Sequence, residues 1–158
     1  MPPADRDSAP SEPGRHQAHA HSRDPLGRAD DSELEKARLA RLTLRVNCIL
    51  CCISAGNEPA EVLFRDETIM AILPLKAMSR VHLLLFPQAH IEDLPSMLRK
   101  NPEVAARLMQ RADAIASDAG LGSSGYRLAW NYGPDTNQRI PHPHLHLLGG
   151  QRLANALA

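Results

Sequence analysis

Toward the C-terminus of this 158-residue chain, His142, His144 and His146 alternate with Pro143, Leu145 and Leu147. Alternate side chains of an extended segment share a face, so Pro141 to Leu148 is predicted to be a strand with three imidazoles on one side, neighbours roughly 7 Å apart at Cα. Imidazoles are costly to bury without partners. One such histidine is ordinary core; three in strict alternation point to chemistry. Two kinds use this arrangement: a metal held by all three, or one imidazole acting as nucleophile or acid–base group. A second cluster lies at Cys48, Cys51 and Cys52. Cys48-Ile49-Leu50-Cys51 reads as a redox pair, as half of a zinc site, or as two small buried apolar residues. A thioredoxin-like pair needs a βαβ context that this sequence lacks. A closed zinc site needs four ligands, and with no second Cys-x-x-Cys the missing two fall to histidines. Cys52 is expected to be a free buried thiol.

The elements that must position these residues follow from the pattern of the chain. Ser32 to Val46 is predicted to be helical, capped by Asp31 or Ser32, with Leu34, Ala37, Leu39, Leu42 and Leu44 on a loose apolar face. After the cysteine knuckle, Gly56-Asn57-Glu58-Pro59 marks a turn. Glu61 to Arg65 and Thr68 to Leu73 form a hairpin around Asp66-Glu67. Pro74 to Arg80 is a loop, and Val81 to Phe86 a buried strand. Ile91 to Leu98 is a short helix. Pro102 to Ala119 is the clearest helix, with Pro102 in the first turn, Val104, Leu108, Ala112 and Ile115 on one face, and Gly120 to stop it. Tyr126 to Tyr132 is a strand and Gly133 to Pro141 a loop. Strands, one long helix, then strands give an α+β fold with a mainly antiparallel sheet.

Composition bounds the rest. The length suits one domain, residues 32–158, preceded by a polar segment, residues 1–31, with too few apolar residues to offset its ordering entropy. His16, His19 and His21 in that segment read as solvated. About 43% of the chain is apolar and its formal net charge is zero. Zero charge and scarce aromatics argue against a nucleic-acid partner. No apolar run approaches the roughly 18 residues that span a bilayer, and the start of the chain has neither a signal peptide's apolar core nor a transit peptide's lack of acids. A cytoplasmic protein is expected.

The string His142-Pro143-His144-Leu145-His146-Leu147-Leu148 resembles the motif of the histidine-triad family. Asn131-Tyr132-Gly133, Gln138 and Gly149-Gly150 are similar to its Hint-like branch, as is Val81-His82-Leu83-Leu84-Leu85-Phe86-Pro87 with His90-Ile91. The resemblance runs from about Asn47 to Gln151 and implies a HIT-like fold. It implies that His144 attacks the α-phosphorus of a nucleotide to give a nucleotidyl-histidine that water resolves. His146 and Asn131 would orient nucleophile and phosphate, and Gln138 would contact phosphate or leaving group. His82 would pack near the triad. It implies a structural zinc on Cys48, Cys51, His90 and His142, with His82 a rival for the third position. Leu50, Ile53 and Leu75 would cover the base. Arg139 stands where the family often has a small hydroxyl residue; it would clamp a second phosphate or remain in solvent. Two departures concern the nucleoside: Glu58 replaces an apolar pocket residue, and Pro74 stands at the position of the ribose-binding aspartate. The implied activity is hydrolysis of nucleotide phosphoramidates or phosphoanhydrides by a homodimer. The alternatives are a nucleotidyltransferase or phosphorylase of the same superfamily, and a zinc-stabilised binding protein with little turnover.

Overall fold

The computed structural model describes residues 31–154; the polar segment ahead of Asp31 lies outside them. Five strands form one wholly antiparallel sheet: β1 (Val62–Arg65), β2 (Ile69–Ile72), β3 (Val81–Pro87), β4 (Tyr126–Trp130) and β5 (Leu145–Gly149), in the order β1-β2-β3-β5-β4. Among the described residues four α-helices accompany it, α1 (Asp31–Asn47), α2 (Ile49–Ser54), α3 (Leu94–Lys100) and α4 (Pro102–Asp118), with a single 3-10 turn at Pro134–Thr136. The expected α+β architecture is the one observed, with the histidine strand β5 between β3 and β4.

The period of two along each strand sorts the side chains into two layers. Ile69 and Ala71 of β2, Leu83 and Leu85 of β3, and Leu145 and Leu147 of β5 pack against Ala105, Leu108, Ala112 and Ala116 of α4. Those four helical positions recur at intervals of three and four residues, the spacing of a single stripe. On the opposite face Met70, Ile72 and Phe86 pack against Cys48, Leu50 and Cys51 at the start of α2. The second layer carries the knuckle, and with it the functional face. One turn and one close contact set the geometry of the sheet. The Asp66 carboxylate accepts from the backbone N–H groups of Thr68 (2.8 Å) and Ile69 (2.9 Å), closing the β1–β2 hairpin. Gly149 is needed for a close approach, since a Cβ there would come 2.6 Å from Leu121 Cδ1.

Three boundaries differ from expectation. The histidine strand begins at Leu145, not Pro141, because Pro141 and Pro143 have no N–H for the ladder, and the His142 N–H bonds locally to the Ile140 carbonyl at 2.9 Å. Of the three histidines only His146 therefore lies within the sheet. The knuckle, to which the sequence assigned no element, forms a six-residue helix, α2. The short helix starts at Leu94, where the Asp93 side chain caps it by accepting from Ser96 N–H at 2.6 Å.

Candidate active site

Each histidine of the triad is fixed in one tautomer by a group that can only accept or only donate. His144 Nδ1 lies 2.8 Å from the carbonyl oxygen of His142. A carbonyl only accepts, so Nδ1 carries the proton and Nε2 of the neutral ring is left with a lone pair. His142 Nε2 donates in the same way to the Pro87 carbonyl at 2.9 Å, leaving its Nδ1 lone pair toward the cysteines. The third case runs through His82. The Met78 backbone N–H donates to His82 Nδ1 at 3.1 Å, so the His82 proton sits on Nε2. That Nε2 donates to His146 Nδ1 at 3.0 Å, and the His146 proton must then sit on its own Nε2. His146 Nε2 is buried and has no hydrogen-bond partner among the described residues. An orphaned buried donor is costly unless a ligand supplies the acceptor. The His144 and His146 rings stand 5.1 Å apart, so a ring with a free lone pair and a ring with a free N–H are neighbours.

Burial keeps these rings neutral. It lowers the pKa of His144, partly offset by the bond to the His142 carbonyl, and lowers those of His142 and His146 to about 4, with neighbouring histidines adding to the effect. Burial also lowers that of His82. A neutral imidazole is the form that can attack an electrophile or bind a metal.

The cysteine cluster closes on two histidines. Ligand atoms of Cys48, Cys51, His90 and His142 all lie within 4.8 Å of one another. Cys51 Sγ is 3.2 Å from His90 Nδ1 and 3.6 Å from His142 Nδ1, and Cys48 Sγ is 3.5 Å from His142 Nδ1. A tetrahedral zinc with ordinary Zn–S and Zn–N bonds sets sulfur and nitrogen about 3.5 Å apart. The donor set, its spacing and the His142 lone pair thus fit a closed Cys2His2 zinc site, which would supply cross-linking and no reactive position. His82 takes no part, since both of its nitrogens are engaged elsewhere. Cys52 is half-buried, rather than buried as expected, and lines a cavity of about 460 Å³ with Cys51 and Leu42, separate from the triad.

The remaining predicted residues fall in three places. The β4–β5 register, continued one residue past Trp130 and Leu145, aligns Asn131 with His144. The Gln138 side chain braces the loop ahead of the triad, accepting from Gly133 N–H and donating to the Ile140 carbonyl, both at 3.0 Å. Arg139 is exposed, with no hydrogen bond or ion pair among the described residues. Leu50 is 1% exposed and committed to the core with Met70 and Phe86, Ile53 is half-buried beside it, and Leu75 projects fully into solvent. Leu50 and Leu75 therefore build no preformed wall for a base: one is enclosed, the other unsupported. Met78 was missed in the sequence because its contribution is a backbone N–H, which no side-chain pattern reveals.

The HIT domain model matches residues 55–153 of the chain. The chain belongs to the HIT family. A HIT family hydrolase from Legionella pneumophila is similar in structure, with a TM-score of 0.66 and 36% identity over 69% of this chain and 97% of that one. A Zn-bound histidine triad family protein from Mycobacterium smegmatis has a TM-score of 0.61 and 31% identity, over 72% of this chain and 81% of its own. The purine nucleoside phosphoramidase of Escherichia coli (strain K12) is 28% identical over 100 residues, 63% of this chain and 84% of the enzyme. Among the described residues of this HIT protein, no helix is long and apolar enough to cross a membrane.

Proposed function

We propose that this HIT protein hydrolyses nucleotide phosphoramidates or phosphoanhydrides through a nucleotidyl intermediate on His144 Nε2. The observation that carries the reading is the His144 Nδ1–H bond to the His142 carbonyl, which leaves the Nε2 lone pair free on a ring 5.1 Å from that of His146, whose Nε2–H has no partner among the described residues. In the first step Nε2 attacks phosphorus, a P–N(His) bond forms, and the bond to the amine or phosphate leaving group breaks. His146 Nε2–H donates a hydrogen bond to a phosphoryl oxygen and keeps its proton, the leaving group takes its proton from solvent, and the proton that the attacking water loses in the second step returns to solvent. Water then attacks the same phosphorus and releases His144. Asn131, Gln138 and Arg139 are assigned to the phosphoryl oxygens, Gln138 after releasing one of its loop bonds. The similarity to a purine nucleoside phosphoramidase supports this reaction class.

A panel of adenylated, guanylated and non-nucleotide phosphoramidates, with dinucleoside polyphosphates, tests the proposal. Turnover of one class, together with a nucleotidyl adduct in the intact mass after rapid acid-free quenching, is the expected result. Failure across the panel would leave a zinc-stabilised binding protein, and turnover only with an added acceptor other than water would make it a transferase.

His82 is assigned as the residue that sets the His146 tautomer. Replacing it by Phe removes the donor to His146 Nδ1 and frees that ring to place its proton there. Activity is expected to fall roughly 10–100-fold, the usual cost of losing such a support, with His82→Gln, which keeps a donor, recovering part of it. Equal activity in the two variants would reduce His82 to packing.

A cytoplasmic setting is also proposed, because the cluster needs its cysteines reduced. So is a homodimer built through α4 and β4. The structure puts β4 at a sheet edge, where its outer backbone groups can pair with a second copy. Light scattering at micromolar concentration should give twice the chain mass; a monomer would reject the arrangement.

A further inference from the structure

The face of the sheet that carries the histidines can be laid out row by row from the strand registers. His144 aligns with Phe86, and Phe86 with Met70. His146 is flanked by Ala129 on one side and by Leu84, then Ile72, on the other. His82 pairs with Leu148, and the β2–β3 register continued by two residues places Pro74 beside His82 on the same face. Running from the histidines toward β2, the floor is therefore Leu84, Ile72 and Pro74, with Ile53 of α2 packed against this layer. None of the five strands contains an aspartate or glutamate. Of the acids flanking β1 and β2, Glu58, Glu61 and Glu67 are exposed and Asp66 is turned to Arg107 of α4 at 3.0 Å. Both His82 nitrogens are bonded within the protein, so His82 offers nothing to a ligand hydroxyl.

We infer that the site grips the non-phosphorus part of its substrate by apolar contact alone, over the half-buried Ile53, Pro74 and Leu84, and does not read sugar hydroxyls. The inference rests on the reading of His144 and His146 as the phosphorus-binding end of the site. Among the described residues two buried polar side-chain atoms have no hydrogen-bond partner: His146 Nε2 lies at that end, and Ser54 Oγ is enclosed in α2. A diol placed over the apolar end would exchange water for carbon, gaining no specificity and losing solvation. The substrate class is thus phosphate derivatives of a flat or apolar group, among which ribo- and dideoxynucleosides are equivalent. A site built to bond a hydroxyl rejects the analogue lacking it strongly, whereas one that merely accommodates it does not.

The test is equilibrium binding by calorimetry to the whole wild-type protein, with adenosine 5′-monophosphate, its 2′,3′-dideoxy analogue and ribose 5-phosphate as probes. The two nucleotides are expected to bind within about threefold of each other, and ribose 5-phosphate at least about tenfold more weakly. Pro74→Asp, which puts an acceptor at the apolar end, should bring a preference for the ribonucleotide of about fivefold or more. A dideoxy analogue bound more than about threefold more weakly by the wild type would overturn the inference and point to Glu61, whose carbonyl accepts from the Leu73 N–H, as the missing acceptor. Binding of ribose 5-phosphate on a par with the nucleotides, or of none of the three, would overturn it equally. No turnover enters these measurements, so a failure of the nucleotidyl-histidine chemistry would show in the substrate panel and leave the binding order standing.

Discussion

His144→Ala is expected to reduce kcat/KM by at least about three orders of magnitude while the melting temperature and zinc content stay near wild type. The size of the loss follows from the assigned role. A covalent nucleophile replaces one difficult displacement by two easier ones, and no neighbouring group can take over. His142 is tied through Nε2 to the Pro87 carbonyl and presents its other nitrogen to the cysteines. His146 presents an N–H, not a lone pair, for as long as His82 donates to its Nδ1. The retained fold follows from position. His144 precedes β5, contributes no ladder bond of the strand, and loses only the 2.8 Å contact to the His142 carbonyl, whereas Leu145 and Leu147 on the other face remain in the core. Substrate binding should survive, because the His146 donor and the apolar floor are untouched. A variant that keeps near-wild-type turnover would exclude His144 as nucleophile. One that loses activity along with its fold would be uninformative, so His144→Asn, which keeps a polar group of similar bulk, should be measured in parallel with the same outcome.

Much of this site was legible in the sequence because its chemistry is local. The spacing of His142, His144 and His146, and the Cys-x-x-Cys, fall within a few residues and mark themselves as candidates for chemistry. The apolar alternation of β5 was equally plain, and so was half of the α4 stripe: Leu108 and Ala112 are buried as expected, whereas Ala105 and Ala116 take the centre of the face and Val104 and Ile115 flank it half-buried. What the sequence hid is where backbone groups take part. Pro141 and Pro143 end the ladder, so His142 leaves the sheet and turns to the cysteines, although the alternation alone placed three imidazoles in equivalent positions. The carbonyls of Pro87 and His142 and the N–H of Met78 decide which nitrogen of each ring is free, and a one-letter code contains none of them. Leu50 shows the complementary failure. Its place beside the knuckle suggested a ligand contact, but an aliphatic side chain next to Met70 and Phe86 gains more from burial than from exposure to an intermittent ligand.

The second large effect is expected at the cluster of Cys48, Cys51, His90 and His142. Metal analysis of protein purified without chelator should give about one zinc per chain. Cys48→Ser should lower that content and cost on the order of 3 kcal/mol, which for a domain of this size is about 10 °C in melting temperature. The cost is large because the four ligands come from separate elements. Cys48 and Cys51 flank the first turn of α2, His90 follows β3, and His142 leads into β5. Closing one tetrahedral shell on them ties α2 to the functional face. It also fixes the segment whose carbonyl, that of His142, holds the His144 proton, so catalysis should decline with the metal even though no open position exists to activate water. The two effects can be separated by replacing zinc with cobalt. A tetrahedral Cys2His2 site would show thiolate-to-cobalt charge transfer, and turnover would remain, since geometry and not Lewis acidity is what the metal provides. Activity that changes with metal identity while the fold stays constant would instead assign the ion to the reaction. Stoichiometric zinc in a Cys48→Ser, Cys51→Ser double variant would move it to the triad itself, and His144 would then be a ligand rather than a nucleophile.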